Sequence, residues 1–329
     1  MQNILITGGA GYVGSVLVPK LIKKGYFVKV FDWFIYGDKV FGKFTNNPNL
    51  IRVKGDIRDK KLMKKTLEGI DVVIHLACIS NDPSFELDPK LGKSVNYDAT
   101  LQLLDLSKNK EVKRFIYASS SSVYGVKKQA KVTERLVLEP LTDYSKYKAL
   151  CEKYIMDNGK KDFTTLILRP ATVCGYSPRL RLDLTVNLLT IQALVNKKMT
   201  VFGGSQLRPN IHIEDMTDLY VKILEYPDRL INGKIYNAGY ENYSVLEIAQ
   251  MVKRVIGDKR VKIEVTSSPD NRSYRICSDK IKKELGFVPS HTVEEAIADL
   301  KKAYVEDKIP HPLTGNRYYN IKTMQKLSL

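Results

Sequence analysis

The chain has 329 residues, 43% of them hydrophobic and 27% charged. That balance suits a globular protein of one large or two modest domains, and excludes a mainly disordered, collagen-like, coiled-coil or disulfide-scaffold chain. The 53 basic residues outnumber the 36 acidic ones, giving +17, but the excess is mostly lysine spread along the chain; this reads as a solvated surface, and a nucleic-acid partner is not expected.

Ile4 to Ile6 is a short apolar run that stops at Thr7-Gly8-Gly9, the pattern of a buried strand entering a tight turn. Tyr12 to Lys24 reads as a helix with Val13, Val16, Leu17, Leu21 and Ile22 apolar, and Gly25 stops it. Phe27 to Phe31 is the next strand, ending at Asp32, which completes a β-α-β unit. The alternation continues with strands at Leu50 to Val53, Val72 to His75, Arg114 to Ala118 and Thr165 to Leu168. Helices are predicted between them at Lys60 to Leu67, Pro89 to Leu106 and Tyr144 to Met156. Such alternation predicts an α/β fold, a Rossmann-type doubly wound parallel sheet. After Arg169-Pro170 the pattern loosens. Gly175 to Asp183 is loop-like, and helices follow at Leu184 to Val195, Glu214 to Leu224, Val245 to Val255 and Val293 to Lys302. Strands are expected near Val201 and at Lys262 to Val265. Residues 1–175 are therefore assigned to the parallel-sheet domain and 176–329 to a smaller mixed α/β lobe, with Lys234 to Asn237 returning to the first sheet. The segment after Pro312 reads as a surface tail.

Cys78, Cys151, Cys174 and Cys277 form no Cys-x-x-Cys pair and have no histidine at metal-ligand spacing, so no metal is expected. Reduced thiols in a cytoplasmic protein are the simplest reading. No apolar run reaches the roughly 18 residues of a membrane span, and no signal-peptide pattern is present, so no membrane partner is expected.

Gly8-x-x-Gly11-x-x-Gly14 lies between strand and helix. Glycines there let the backbone approach a diphosphate, and the helix N-terminus supplies free N–H groups and partial positive charge. Tyr12 and Val13 fall in the same turn. Asp32, 18 residues after Gly14, can accept hydrogen bonds from a ribose diol and repel a 2′-phosphate, which points to NAD rather than NADP. Asp56 and Ile57, after the third strand, can reach the adenine.

Tyr144 and Lys148 are four apart on a predicted helix and share a face. An ammonium near a phenol lowers its pKa from about 10 and makes it a usable base. Ser119 to Ser122, just past a predicted strand, can present hydroxyls to a substrate alcohol or ketone.

With these motifs the chain resembles the extended short-chain dehydrogenase/reductase family, in its nucleotide-sugar epimerase and dehydratase branch, over nearly its whole length. The carriers are Thr7 to Gly14, His75-Leu76-Ala77, Ser119 to Gly125 and Tyr144-x-x-x-Lys148. The resemblance implies Ser120, Tyr144 and Lys148 as the catalytic set, with Leu76, Ala77 and Asn96 at an NAD cofactor. Arg208, in Arg208-Pro209-Asn210-Ile211-His212, and Arg272 resemble arginines that contact a substrate diphosphate, which guanidinium groups suit. Asn187 resembles an asparagine reaching the nucleotide sugar; Ser80 and Ser121 are further candidates for the substrate wall. The family also implies a homodimer formed through two helices flanking the sheet.

The shared chemistry implied is hydride transfer at a sugar carbon, giving a 4-keto sugar. Dehydratases of the family place an Asp-Glu pair just after the catalytic residue; here those positions are Ser121 and Ser122. The glutamate of the decarboxylases and the cysteine of the 3,5-epimerases would both fall at Ser122. The reading is thus an NAD-dependent nucleotide-sugar 4-epimerase, with a 4-dehydrogenase or ketoreductase of surface-polysaccharide synthesis as the alternative, since Arg179 and Arg181 resemble that subgroup. A non-catalytic NAD- or RNA-binding protein of the same fold is a more distant alternative.

Overall fold

The computed structural model describes residues 2–160, 162–267 and 273–327. The first strands and helices alternate as β1 (Asn3–Thr7), α1 (Gly14–Lys23), β2 (Phe27–Asp32), β3 (Leu50–Lys54), α2 (Lys60–Thr66) and β4 (Val72–His75). After β4 come α3 (Asp82–Leu87), α4 (Pro89–Lys93), α5 (Ala99–Asn109), β5 (Arg114–Ala118), α6 (Asp143–Asn158) and β6 (Thr164–Pro170). Further on lie β7 (Thr172–Cys174), α7 (Thr185–Asn196), β8 (Lys198–Phe202), β9 (Leu207–His212), α8 (Ile213–Glu225), α9 (Asp228–Ile231) and β10 (Lys234–Ala238). The last elements are β11 (Glu241–Ser244), α10 (Val245–Ile256), β12 (Lys262–Thr266), α11 (Asp279–Leu285), α12 (Val293–Val305) and α13 (Asn320–Lys326).

Seven parallel strands form the main sheet in the order β10-β6-β5-β4-β1-β2-β3. The strand order reverses between β1 and β4, which opens a crevice at their carboxyl ends. Ile4, Ile6, Val72 and Ile74 point to one face and Leu5 and Val73 to the other, all fully buried. That double burial is why these strands read as continuous apolar runs rather than alternating ones. The return strand expected at Lys234 to Asn237 is β10, paired with β6 at the sheet edge.

The second lobe has its own core, where Leu189, Ile191, Ile248, Val252, Ile297 and Leu300 of α7, α10 and α12 meet. β11, β9 and β7 make a three-stranded sheet, and β12 pairs with β8. The lobes are not independent layers. Lys20 of α1 bonds Asp218 of α8 at 2.6 Å, and Tyr12 packs into the second core.

Two expectations are corrected. The single helix predicted from Pro89 to Leu106 is α4, a wide π-turn at Ser94–Asp98, and α5. Buried Asn96 sits in that turn and exchanges bonds with Ile79, accepting from its N–H at 2.8 Å and donating to its carbonyl at 2.9 Å. The segment after Pro312 is not a surface tail. Tyr318 and Met324 are buried, and α13 packs beside α3. Tyr318 just before that short helix and Ile321 and Met324 within it give the segment a face to bury.

Candidate active site

A cleft of about 600 Å³ runs along the carboxyl ends of the strands, between the two lobes. Gly8, Gly11, Tyr12, Val13 and Gly14 line one end. Gly8 has φ +72°, and a Cβ there would lie 2.6 Å from the Ala77 nitrogen. At Gly14 a Cβ would stand 2.3 Å from the Gly9 carbonyl oxygen. Both glycines are therefore required for the turn to close. A Cβ on Gly11 would meet the Gly8 oxygen at 3.1 Å and otherwise project into open space, where a side chain would fill the cradle. No side chain caps the start of α1, and no acidic residue occupies its first turn. The Ser15 and Val16 N–H groups are taken by the Gly11 and Val13 carbonyls at 2.9 and 3.2 Å, but the positive end of the helix dipole still faces the cleft, and this end of it fits a nucleotide diphosphate.

Asp32, at the end of β2, lines the same cleft. It accepts hydrogen bonds from the N–H groups of Ala10 at 3.0 Å and Phe34 at 2.8 Å. Burial pushes its pKa up, while those bonds and the charge of Arg179 oppose the shift. A carboxylate on the cleft wall with acceptor capacity to spare suits a ribose diol. Ile57, Leu76 and Ala77 are on the wall. Asp56 stands outside the cleft wall; its carboxylate is taken by Arg58, with Nε at 2.9 Å, and that guanidinium lies 6.0 Å from the Trp33 ring centre.

Tyr144, Lys148, Ser120, Ser121 and Ser80 share the wall of this cleft. Thr142 caps α6 by accepting from the Ser145 N–H, and the Ser145 hydroxyl pairs back to the Thr142 backbone. This fixes the first turn, which carries Tyr144. Lys148, one turn on, is buried; its ammonium donates to the Ala118 carbonyl at 2.7 Å and lies 4.8 Å from the Tyr117 ring centre. The Ser120 hydroxyl pairs with the Ser122 hydroxyl at 2.8 Å and stands on the same cleft wall as the Tyr144 phenol. Burial raises the Tyr144 pKa well above its ordinary value, Cys78 and Asp82 push the same way, and Arg181 and the nearby Ser120 hydroxyl oppose them. This differs from the expected lowering by Lys148. Its ammonium sits on a carbonyl, 5.9 Å from the Tyr144 ring centre, rather than on the phenol.

Beneath the serines lies a buried polar network that the sequence did not reveal. Glu152 accepts from the Ser119 hydroxyl and from Arg169, with Nη2 at 2.6 Å. Arg169 also donates to the Tyr124 hydroxyl at 2.8 Å, which donates to Asn237 of β10 at 2.7 Å. His75 is held neutral: burial pushes its pKa down to about 3, and its ring joins the Thr7 and Thr100 hydroxyls at 2.6 and 2.8 Å.

Two expected contact residues sit behind the wall. Asn187 is fully buried; it accepts from the Gly175 N–H at 3.0 Å and donates to Tyr12 Oη at 3.1 Å and to the Arg181 carbonyl at 3.0 Å. All its polar atoms thus have protein partners. Asn96 is engaged with Ile79 in the same way, so both asparagines position wall residues rather than face the cleft. Arg208 does line the cleft. Arg272 lies outside the described residues. Cys174 is buried with its thiol on the Ile211 carbonyl, away from the cleft. Asn81 caps α3, and it also donates to Asp183 at 2.8 Å.

The loop from Gly175 adds Arg179, Arg181 and Asp183 to the wall, and α13 adds Asn320, Ile321 and Met324. Arg181 and Asp183 form a part-buried pair at 2.9 Å. No local motif marks the α13 residues, because their role depends on a chain reversal 240 residues beyond Ser80.

A reversed-order parallel sheet, a glycine cradle, an acid at the end of β2 and a Tyr–Lys pair on one wall define a dinucleotide-dependent α/β enzyme scaffold. Residues 4–239 match the NAD dependent epimerase/dehydratase family, and the chain belongs to that family. It is 30% identical to UDP-glucose 4-epimerase of Lactobacillus helveticus over 90% of this chain and 95% of that one. It is 32% identical to the uncharacterised UDP-glucose epimerase YtcB of Bacillus subtilis over 91% of this chain and 96% of that one. The UDP-glucuronic acid 4-epimerase from Bacillus cereus, crystallised with UDP-glucuronic acid and NAD, superposes with a TM-score of 0.83 at 29% identity, covering 92% of this chain and 100% of that one.

Proposed function

We propose that this protein is an NAD-dependent nucleotide-sugar 4-epimerase that works through a transient 4-keto sugar, with Tyr144 as the base. The observation that carries the reading is that Ser120, Tyr144 and Lys148 share the wall of a cleft whose other end is built for a nucleotide diphosphate. The similarity to 4-epimerases supports it.

Gly8 to Gly14 and Asp32 would hold the cofactor, and Lys148 would fix its ribose. NAD, when bound, supplies an acceptor for the sugar's hydride and later its donor. Tyr144 Oη takes the proton of the sugar hydroxyl and later returns it. Ser120 hydrogen-bonds the reacting oxygen and holds it against Tyr144. Arg208 would bind the substrate diphosphate. The positions where dehydratases carry carboxylates are Ser121 and Ser122, so the groups present suit inversion at one carbon rather than loss of water. The same reading implies a cytoplasmic homodimer, which light scattering would check; a monomer at working concentration overturns the dimer. Among the described residues no helix is long and apolar enough to cross a membrane.

The deciding experiment incubates the protein and NAD with a panel of UDP-, dTDP-, GDP- and CDP-sugars and weighs the products. A product of unchanged mass and new retention time is the expected result. A product lighter by two hydrogens, with reduced cofactor released, would replace epimerase by 4-dehydrogenase.

A further inference from the structure

Arg179 is buried, at 4% exposure, in the wall of the cleft. Its guanidinium lies 3.6 Å from the centre of the Tyr36 ring, and its Nη2 donates to Asn320 of α13. Its Nε and Nη1 are buried with no hydrogen-bond partner. A desolvated guanidinium with two unused donor nitrogens is costly, and the cost is removed only when an acceptor, best an anion, completes it. Arg181 does not share this state, because Asp183 neutralises it.

The surroundings of Arg179 say which anion. The Arg179 N–H donates to the Ser177 hydroxyl at 3.3 Å, and that hydroxyl bonds both the Tyr12 carbonyl at 2.8 Å and the Ser15 hydroxyl at 2.6 Å. Arg179 thus stands on a loop stitched to the first turn of α1. Tyr36, its stacking partner, is four residues beyond Asp32, and Asp32 itself is close enough to feel the arginine's charge. An uncapped helix N-terminus, a ribose-binding acid and an incomplete guanidinium therefore meet at one end of the cleft. We infer that Arg179 binds the diphosphate of the dinucleotide cofactor from the second lobe, and that Asn320 aims it. Asn320 also accepts from Tyr36 Oη at 3.1 Å and donates to the Ser80 hydroxyl at 2.8 Å. The same residue therefore joins Arg179 to the loops after β2 and β4. The inference rests on the cofactor half of the reading above and not on the sugar chemistry.

Calorimetric titration of the nucleotide-stripped full chain with NAD, ADP-ribose and adenosine tests it. Arg179→Gln is expected to weaken NAD and ADP-ribose about tenfold or more and to leave adenosine within about twofold. Without ligand the variant should melt at or above the parent, since an uncompensated buried charge is gone; with saturating NAD the order should reverse. Equal loss for adenosine and ADP-ribose, or a lower melting temperature without ligand, would show that Arg179 only props Tyr36 and would overturn the inference. Asn320→Ala keeps the arginine and should weaken ADP-ribose by a smaller factor while sparing adenosine; this holds the test open if Arg179→Gln does not fold. Unchanged ADP-ribose affinity in both variants overturns the inference alone. A parent protein that binds neither NAD nor ADP-ribose overturns it together with the cofactor assignment.

Discussion

At Tyr144 two physical effects oppose each other. Burial holds the proton on the phenol, while Arg181's charge and the nearby Ser120 hydroxyl favour its departure. Tyr144→Phe removes the phenol hydroxyl proposed as the base but keeps the ring, so turnover should fall by roughly 10²–10⁴ while NAD affinity, read by calorimetry, stays nearly unchanged. Full activity in that variant would sink the mechanism. Arg181→Gln removes a cation that lowers the Tyr144 pKa. The phenol then needs a higher pH to lose its proton, so the rising limb of the kcat–pH profile should move to higher pH; a limb that stays in place means that Tyr144 does not set it. The Tyr144–Lys148 spacing and the three glycines were legible in the sequence because each depends on a few neighbouring residues. Asn96 and Asn187 were not, because only the packed neighbours decide whether an amide faces a cleft or a backbone.

α6 is the element that organises the chemistry. Its capped first turn carries Tyr144, its second Lys148, and Glu152 follows at the same spacing of four to anchor the serine loop through Ser119 and Arg169. Glu152→Ala leaves Arg169 buried without its counter-charge. Stability should fall by about 3–5 kcal/mol in urea unfolding; a loss below about 1 kcal/mol would mean that water or Tyr124 compensates. The split of the predicted Pro89 to Leu106 helix has a cause at the same scale. Asp88 caps α4, accepting from the N–H groups of Lys90 and Leu91 at 3.0 Å, and the wide turn at Ser94–Asp98 brings Asn96 to Ile79. Helical periodicity read along the sequence averages over one extra residue per turn, so it registers a single helix.

On the scale of the whole molecule, the chain closes on itself. The last helix covers the cleft that the first glycine turn opens, and Asn320 links loops that follow β2 and β4. Truncation after Leu313 should therefore release NAD faster, seen as loss of co-purified cofactor and a higher Kd, beyond any fall in melting temperature. Undiminished cofactor retention would show that α13 only covers apolar surface. The sequence by itself determined the β-α alternation, the glycine cradle, Asp32 and the Tyr–Lys pair, because strand burial, turn sterics and helical spacing act over a few residues. It also placed β10 back in the first sheet. Only the tertiary structure decided that the C-terminal segment belongs to the cleft, that Arg169 and Glu152 support the serines from below, and that Arg179 stands buried and incomplete beside α1. Those contacts join residues as far apart as 240 positions, and which polar group is left without a partner is known only when every neighbour is in place.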